Sequence, residues 1–325
     1  MTITKKARRR LTHAAVIAAA VSIFVLTPRI SLATVPEAMD LTSLSIEELM
    51  NVKVTSVGKK SQNLSESAAA IFVISGDDIK RSGVTNIPDA LRMVPGLNVA
   101  RLDANKWAVN IRGFNSRFSS QLLVLIDGRS IYTPTFSGVY WETSDTLLED
   151  IDRIEVIRGP GATLWGANAV NGVINIITKS AADTQGGLIT AGGGNFEQGF
   201  GSARYGGKAG THSHWRTYAK YQNRDSLVSA DGDNVDQDAG DNWDLTRGGF
   251  RIDSTPTPVD RLTIQGDHHD SNIDQTLYFA QTTAPYNVET PVETKSQGTN
   301  ILARWQRTFS SSSNLALQAY VDTKE

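Results

Sequence analysis

The sequence predicts an α+β domain followed by antiparallel strands of a transmembrane β-barrel. Three observations carry this. Residues 68–179 alternate short apolar runs with Gly, Asp-Gly and Gly-Pro turn signals around two short helical patterns. From Gly186 onward the hydrophobic period becomes a strict two. The long connections between those later segments all fall on one side of the array, the outer-membrane pattern of short periplasmic turns and longer external loops.

The first 33 residues read as an export signal. Lys5, Lys6, Arg8, Arg9 and Arg10 form a basic stretch, Ala14 to Leu26 is a 13-residue apolar run, and Ser31-Leu32-Ala33 supplies small residues for cleavage after Ala33. The run is too short to span a bilayer as a helix, which needs ~20 residues. Loss of the segment's six basic residues leaves 26 Lys and Arg against 34 Asp and Glu, a net charge of −8. Such a surface argues against nucleic acid, whose phosphates require clustered cations. The absence of cysteine excludes thiolate metal sites, a cysteine nucleophile and disulfides. No later stretch approaches 18 continuous apolar residues, which excludes a helical membrane protein and leaves a barrel possible.

Residues 34–62 form a connecting segment. It holds one short helical pattern, LTSLSIEELM, with Ser45 and Glu48 spaced as a capping box, and then the β-prone run Lys53 to Val57. A domain is expected over 63–181. AIFVISG is a buried-strand run; Asp77 or Asp78 is expected to cap a first helix that Gly83 stops, and Pro95-Gly96 to end a second. LNVARL, WAVNIRG, QLLVLIDG, IDRIEVIRG and GVINIITK supply five further strands. About 110 residues suffice for one core.

Residues 182–325 carry the barrel strands, expected near 186–194, 197–208, 213–224, 247–256, 260–270, 298–308 and 313–322. In HWRTYAKYQ, Trp215, Thr217, Ala219 and Tyr221 share one face, while Arg216, Tyr218, Lys220 and Gln222 share the other. The connections 225–246 and 271–297 are expected to be long loops. A soluble β-sandwich would show the same alternation without the one-sided loop lengths.

The most specific segment is IDRIEVIRGPGATLWGANAVNGVINIITK, Ile151 to Lys179. Its glycines fit neither phosphate-binding pattern, because Ala167 follows Gly166 where a P-loop needs Lys. The segment instead resembles the end of the plug domain of TonB-dependent outer-membrane receptors, where R-I-E-V-I-R-G-P is followed by a Gly-rich turn and G-V-I-N-I-I-T. SAAAIFVISGDDI, NIPDALRMVPGLNV, the NIRGF of Asn110 to Phe114 and LVLIDGR of Leu123 to Arg129 appear upstream in family order. The resemblance covers Val52 to Lys179.

The resemblance implies an α+β plug inside a barrel of about 22 strands, the size with a plugged lumen, since an eight-strand barrel is filled by its own side chains. Seven strands are found, so the chain is expected to be a fragment that cannot close the barrel alone. It implies energised import of a scarce ligand across the outer membrane: an iron–siderophore complex first, with cobalamin, haem, another metal chelate or an oligosaccharide as alternatives. A ligand-sensing signalling receptor and a passive porin-like protein are the other classes. Nothing in the sequence asks for a catalytic group or a cofactor.

By resemblance, Val52, Lys53, Val54, Thr55, Ser56 and Val57 form the segment that TonB, driven by ExbB and ExbD, takes up as an added strand. The run lacks the acidic opening residue and the Ala after Thr of the commonest family form. Arg112, Asp127, Glu155 and Arg158 are expected to supply contacts between plug and barrel wall. Three plug loops are expected to face outward with candidate ligand residues: Trp107, Asn115, Arg117, Phe118, Tyr132, Phe136, Tyr140 and Trp141. Their aromatics suit either a chelate's organic shell or the barrel wall. His268-His269 points to opposite faces of a strand, and the acidic loop Asp231 to Asp244 fails the EF-hand spacing at Val235.

Overall fold

The computed structural model describes residues 53–54, 62–63, 69–228 and 238–325. The expected export signal and the Ser45–Glu48 capping box lie outside these residues.

The first strands are two residues each. β1 (Lys53–Val54) pairs antiparallel with β2 (Gln62–Asn63). The α+β domain begins with β3 (Ile71–Ser75), which runs directly into α1 (Gly76–Ser82). The cap is Ser75, two or three residues earlier than expected: its hydroxyl accepts from the Asp78 amide at 3.0 Å, and Asp78 closes the reciprocal box. Gly83 ends the helix at φ +70°. α2 (Ile87–Leu91) is capped by Asn86 and stops before the expected Pro95-Gly96, because Arg92, Met93 and Val94 tighten onto i→i−3 bonds.

β4 (Leu97–Arg101) and β5 (Trp107–Ile111) form a separate hairpin. β6 (Leu122–Ile126), β7 (Arg129–Ser130), β8 (Ile151–Ile157) and β9 (Gly172–Thr178) complete the main sheet, and α3 (Ala162–Trp165) lies between the last two. The sheet order is β3-β8-β9-β6-β7, antiparallel except for β6 against β9. One face packs Ile74, Val124, Ile154 and Ile174 against Ile79 and Leu91 of the helices and Val109 of the hairpin. The opposite face buries Leu123, Leu125, Ile157 and Val173 under Trp165. Each such side chain contributes about 1.5–3 kcal/mol. Gly172 is required where β9 crosses β8: a Cβ there would sit 2.4 Å from the Ile157 carbonyl oxygen.

Seven antiparallel strands follow in one sheet, each paired to its sequence neighbours: β10 (Gly186–Gly192), β11 (Gly199–Ala209), β12 (Ser213–Arg224), β13 (Trp243–Thr257), β14 (Asp260–Ala280), β15 (Asn287–Ser310) and β16 (Ser313–Lys324). The last four, β13 to β16, are longer than expected. The loop anticipated over 271–297 is instead mostly a continuation of β14 and β15, paired from Ser271–Ser296 to Ala280–Asn287. A membrane strand needs ~9–11 residues, so these two strands are longer than one bilayer crossing requires. The polar residues of that continuation, among them Asn272, Asp274, Gln275, Glu289, Glu293 and Lys295, read as a loop; the strand signal in the sequence is the β-branched series Val288, Thr290, Val292 and Thr294, half-buried on one face of β15 between exposed neighbours.

Candidate ligand site and domain interface

Asp127 and Gly128 form the two-residue turn between β6 and β7, at φ +50° and +78°, the geometry that Asp-Gly favours in a tight hairpin. The turn aims the Asp127 carboxylate across the sheet end at Thr178, which donates its amide at 2.9 Å and its hydroxyl at 2.7 Å. From the seven-stranded sheet, Gln265 donates to the same carboxylate at 2.8 Å and Arg304 to the Asp127 carbonyl. The Thr178 hydroxyl also accepts from Arg251 at 2.9 Å and Arg216 at 3.2 Å. Asp150, 1% exposed, holds both Arg204 and Arg216. Asp145 holds Lys220, and Asp253 accepts from the Ala181 amide at 2.7 Å. The polar face of the later strands is thus the face that meets the α+β domain.

At the other end, the hairpin tip inserts between strands. The Ala104 amide donates to Asp241 at 2.6 Å, the Trp243 indole donates to the Ala104 carbonyl at 3.1 Å, and Asn105 donates to the Asp241 carbonyl at 2.7 Å. Asp241, from the acidic loop, is buried and committed to main-chain amides; residues 229–237 of that loop lie outside the described residues. His269 is buried with its ring against Gly298, while His268 is exposed. Among the described residues, no group of three or more His, Asp or Glu is placed to hold a metal ion.

The loops after β5 and β7 bring five side chains together. Phe118 and Phe136 meet edge to face at 5.0 Å, as do Phe136 and Tyr140 at 4.9 Å. Arg117 lies over Phe118 and Tyr140, at 5.2 and 6.0 Å, and pairs with the buried Glu142 carboxylate at 3.3 Å. Burial pushes the Glu142 carboxyl above the usual range. Phe118 remains 56% exposed and Arg117 partly so, leaving aromatic surface and a cation open to solvent.

The other residues expected at this site fall elsewhere. Trp107 is buried, edge-on to Trp243 of the seven-stranded sheet at 6.3 Å, and Trp141 belongs to the domain core. Tyr132 is half-buried and donates to the Leu122 carbonyl at 2.6 Å, and burial raises its pKa. It lines a separate cavity of about 560 Å³ with Leu125, Gly128, Pro134, Trp165 and Tyr320. Asn115 is half-buried beside Arg112 and Phe114, both at positive φ.

Of the four residues expected at the wall, Asp127 reaches it. Arg112 donates to the Arg158 carbonyl at 3.2 Å, Arg158 donates to the Pro95 carbonyl at 3.2 Å, and buried Glu155 pairs with Arg153 at 2.8 Å. Each of those contacts is inside the α+β domain. Of the expected TonB-contacting run, Lys53 and Val54 form β1, with Val54 buried. Val52, Thr55, Ser56 and Val57 lie outside the described residues.

Sequence reasoning missed Asp145, Asp150, Thr178 and the sheet's cations. The available signal was that Arg216, Lys220 and Arg224 recur every four residues on the polar face, as do Arg247 and Arg251.

Comparison with known proteins places this geometry. Residues 63–173 match the family model of the TonB-dependent receptor plug domain. The vitamin B12 transporter BtuB of Vibrio vulnificus (strain CMCP6) is 35% identical over 147 residues, 45% of this chain and 23% of that protein. The iron-regulated outer membrane virulence protein of Vibrio cholerae is 37% identical over 131 residues, 39% of this chain and 19% of its own length. The chain thus spans less than a quarter of the curated relatives it matches. Among solved structures, Pseudomonas aeruginosa FpvA in complex with an iron-loaded pyoverdine aligns with TM-score 0.60 at 16% identity, covering 84% of this chain and 36% of that one. The ferric yersiniabactin uptake receptor FyuA of Yersinia pestis aligns with TM-score 0.59 at 16% identity, covering 79% and 41%.

Proposed function

Because the chain carries the plug domain of TonB-dependent receptors with barrel strands behind it, we propose that it is the N-terminal part of an outer-membrane transporter that imports a scarce metal chelate, most simply an iron–siderophore complex. The observation that carries this reading is the seating of the plug: its Asp127, Asp145 and Asp150 are bonded to the inner face of consecutive barrel strands. A passive pore has no use for a domain that fills it. The plug's outward loops supply aromatic surface and the Arg117 cation, groups suited to a chelate's organic shell and its negative charge.

Coupling follows from strand addition. Lys53 and Val54 already adopt extended, hydrogen-bonded backbone against Gln62 and Asn63. TonB, energised through ExbB and ExbD, takes up the run 52–57 as a strand in trans, and its pull reaches the plug through β3, which among the described residues is an edge strand paired with β8. The export signal 1–33, the segment 34–62, the plug 63–181 and the barrel portion 182–325 complete the proposed organisation.

A second reading has specific support: several relatives are vitamin B12 transporters. Growth of a strain dependent on the full-length gene, on a panel of ferric siderophores and on cobalamin, separates the two. Growth on an iron chelate alone is the expected result.

A further inference from the structure

Five charged side chains on the strands β10–β16 are buried: Arg216, Lys220, Arg224, Arg247 and Arg251. All are cations; no carboxylate on those strands is buried among the described residues. They occupy two neighbouring strands, and the register sets Arg216 directly opposite Arg251 and Lys220 directly opposite Arg247. Like charges directly opposite one another destabilise a sheet. Rungs four residues apart lie ~13 Å apart along the strand, so the stripe from Arg216 to Arg224 spans ~27 Å, close to the thickness of the bilayer's hydrocarbon.

The counter-charges divide into two sets. Asp253 and Asp267 belong to the wall, on Arg251 and Arg247, and Glu197 of the first loop meets Arg224. Asp127, Asp145 and Asp150 belong to the plug. Several cations also donate to plug carbonyls: Arg216 to Lys179 at 2.6 Å, Lys220 to Thr146 at 3.3 Å, and Arg247 to Thr143. A carbonyl satisfies an N–H without cancelling its charge. When plug residues move off the wall, five cations face the lumen against three remaining carboxylates. A low-dielectric cleft lined by one sign of charge concentrates ligands of the other. Docking a plug needs matched pairs; it does not need cations stacked opposite cations through the height of the wall.

We propose that this stripe is the track along which the ligand passes, and that the ligand is therefore a multiply anionic metal chelate rather than a neutral corrinoid. The inference rests on the transport reading above. It separates this chain from the vitamin B12 transporters it otherwise resembles.

The test uses the full-length receptor in cells, with a ferric tris-catecholate and ferric citrate as anionic probes and cyanocobalamin as the neutral one. The double variant Lys220→Gln with Asp145→Asn removes both ends of one ion pair, so neither partner is left as an unpaired buried charge. Uptake of an anionic chelate should fall about tenfold in it while cell-surface binding of that chelate stays within about twofold. Lys220→Arg, which keeps the charge, should transport near the parental rate. Uptake of cyanocobalamin with no uptake of either anionic chelate overturns the proposal. So does an unchanged anionic uptake rate in the double variant, which would assign the stripe to plug docking alone. If deleting the receptor changes the uptake of no probe, the transport reading itself fails and takes this inference with it.

Discussion

Asp127 and Thr178 close the end of the plug sheet on each other: one carboxylate oxygen takes the Thr178 amide at 2.9 Å, the other its hydroxyl at 2.7 Å. The same Thr178 oxygen receives Arg251 and Arg216 from two barrel strands. A bond internal to the plug and the plug's attachment to the wall therefore share one hydroxyl.

Thr178→Val in the full-length receptor should loosen the plug by about 1–3 kcal/mol, because it leaves buried donors and acceptors without a partner. Asp127→Ala should cost more, about 3–5 kcal/mol, since it strips a carboxylate from buried cations. The urea midpoint of plug release, reported by a fluorophore on Ser137→Cys, measures both. Thr178→Ser should restore most of the loss, and equal midpoints for Thr178→Val and the parent would remove the junction from the account.

Arg117 and Glu142 give a pH-dependent prediction. Burial already raises the Glu142 carboxyl, and Arg117 opposes that rise. Arg117→Leu removes the opposing cation, so the folded-state pKa climbs further. A carboxyl with a raised folded pKa costs stability above that pKa, and the cost disappears as pH falls through it. Arg117→Leu should therefore be less stable than the parent at neutral pH, by about 1–3 kcal/mol for this partly exposed pair, and should converge with it under acid. Adding Glu142→Gln should flatten the pH dependence. Thermal melts across pH give the result, and a deficit that grows under acid would contradict it.

Much of this was legible in the sequence, and the failures have physical causes. Plug strand positions came from apolar runs bounded by Gly and Asp-Gly, because a buried strand has few other ways to be written. The period of two located all seven barrel strands, since lipid and plug impose opposite demands on alternate residues. It lost β14 and β15 beyond Asp270, where Asn272, Asp274, Gln275, Glu289, Glu293 and Lys295 read as a polar loop although Ser271 and Ile273 are buried. Trp107 shows the limit for the site: its loop position suggested ligand, but only the fold brings Trp243 against it. Asp150 ends a three-residue 3-10 turn just outside the Ile151–Lys179 motif, and its role comes from arginines 54 and 66 positions away.

Truncation separates the two halves. Residues 63–181 should fold as a soluble domain, at least marginally, because both hydrophobic clusters of the sheet draw mainly on that span. The 325-residue chain should aggregate instead, since β10 and β16 present unpaired edges that lipid cannot satisfy. Amide-exchange protection of the isolated domain and the sedimentation of the longer chain report the two outcomes. A heat-modifiable monomer of the 325-residue chain in outer-membrane fractions would go against this.

Energised transport is the central claim, and Val54→Pro tests it most directly. Proline there removes a backbone donor from the segment proposed to pair with TonB, while leaving the plug loops and the barrel wall untouched. The measurement is uptake of an iron chelate by cells carrying the full-length receptor, set beside equilibrium binding of the same chelate to those cells. The account predicts binding within about twofold of the parent and uptake reduced to the level of a strain lacking TonB. Parental uptake by the Val54→Pro receptor would contradict it.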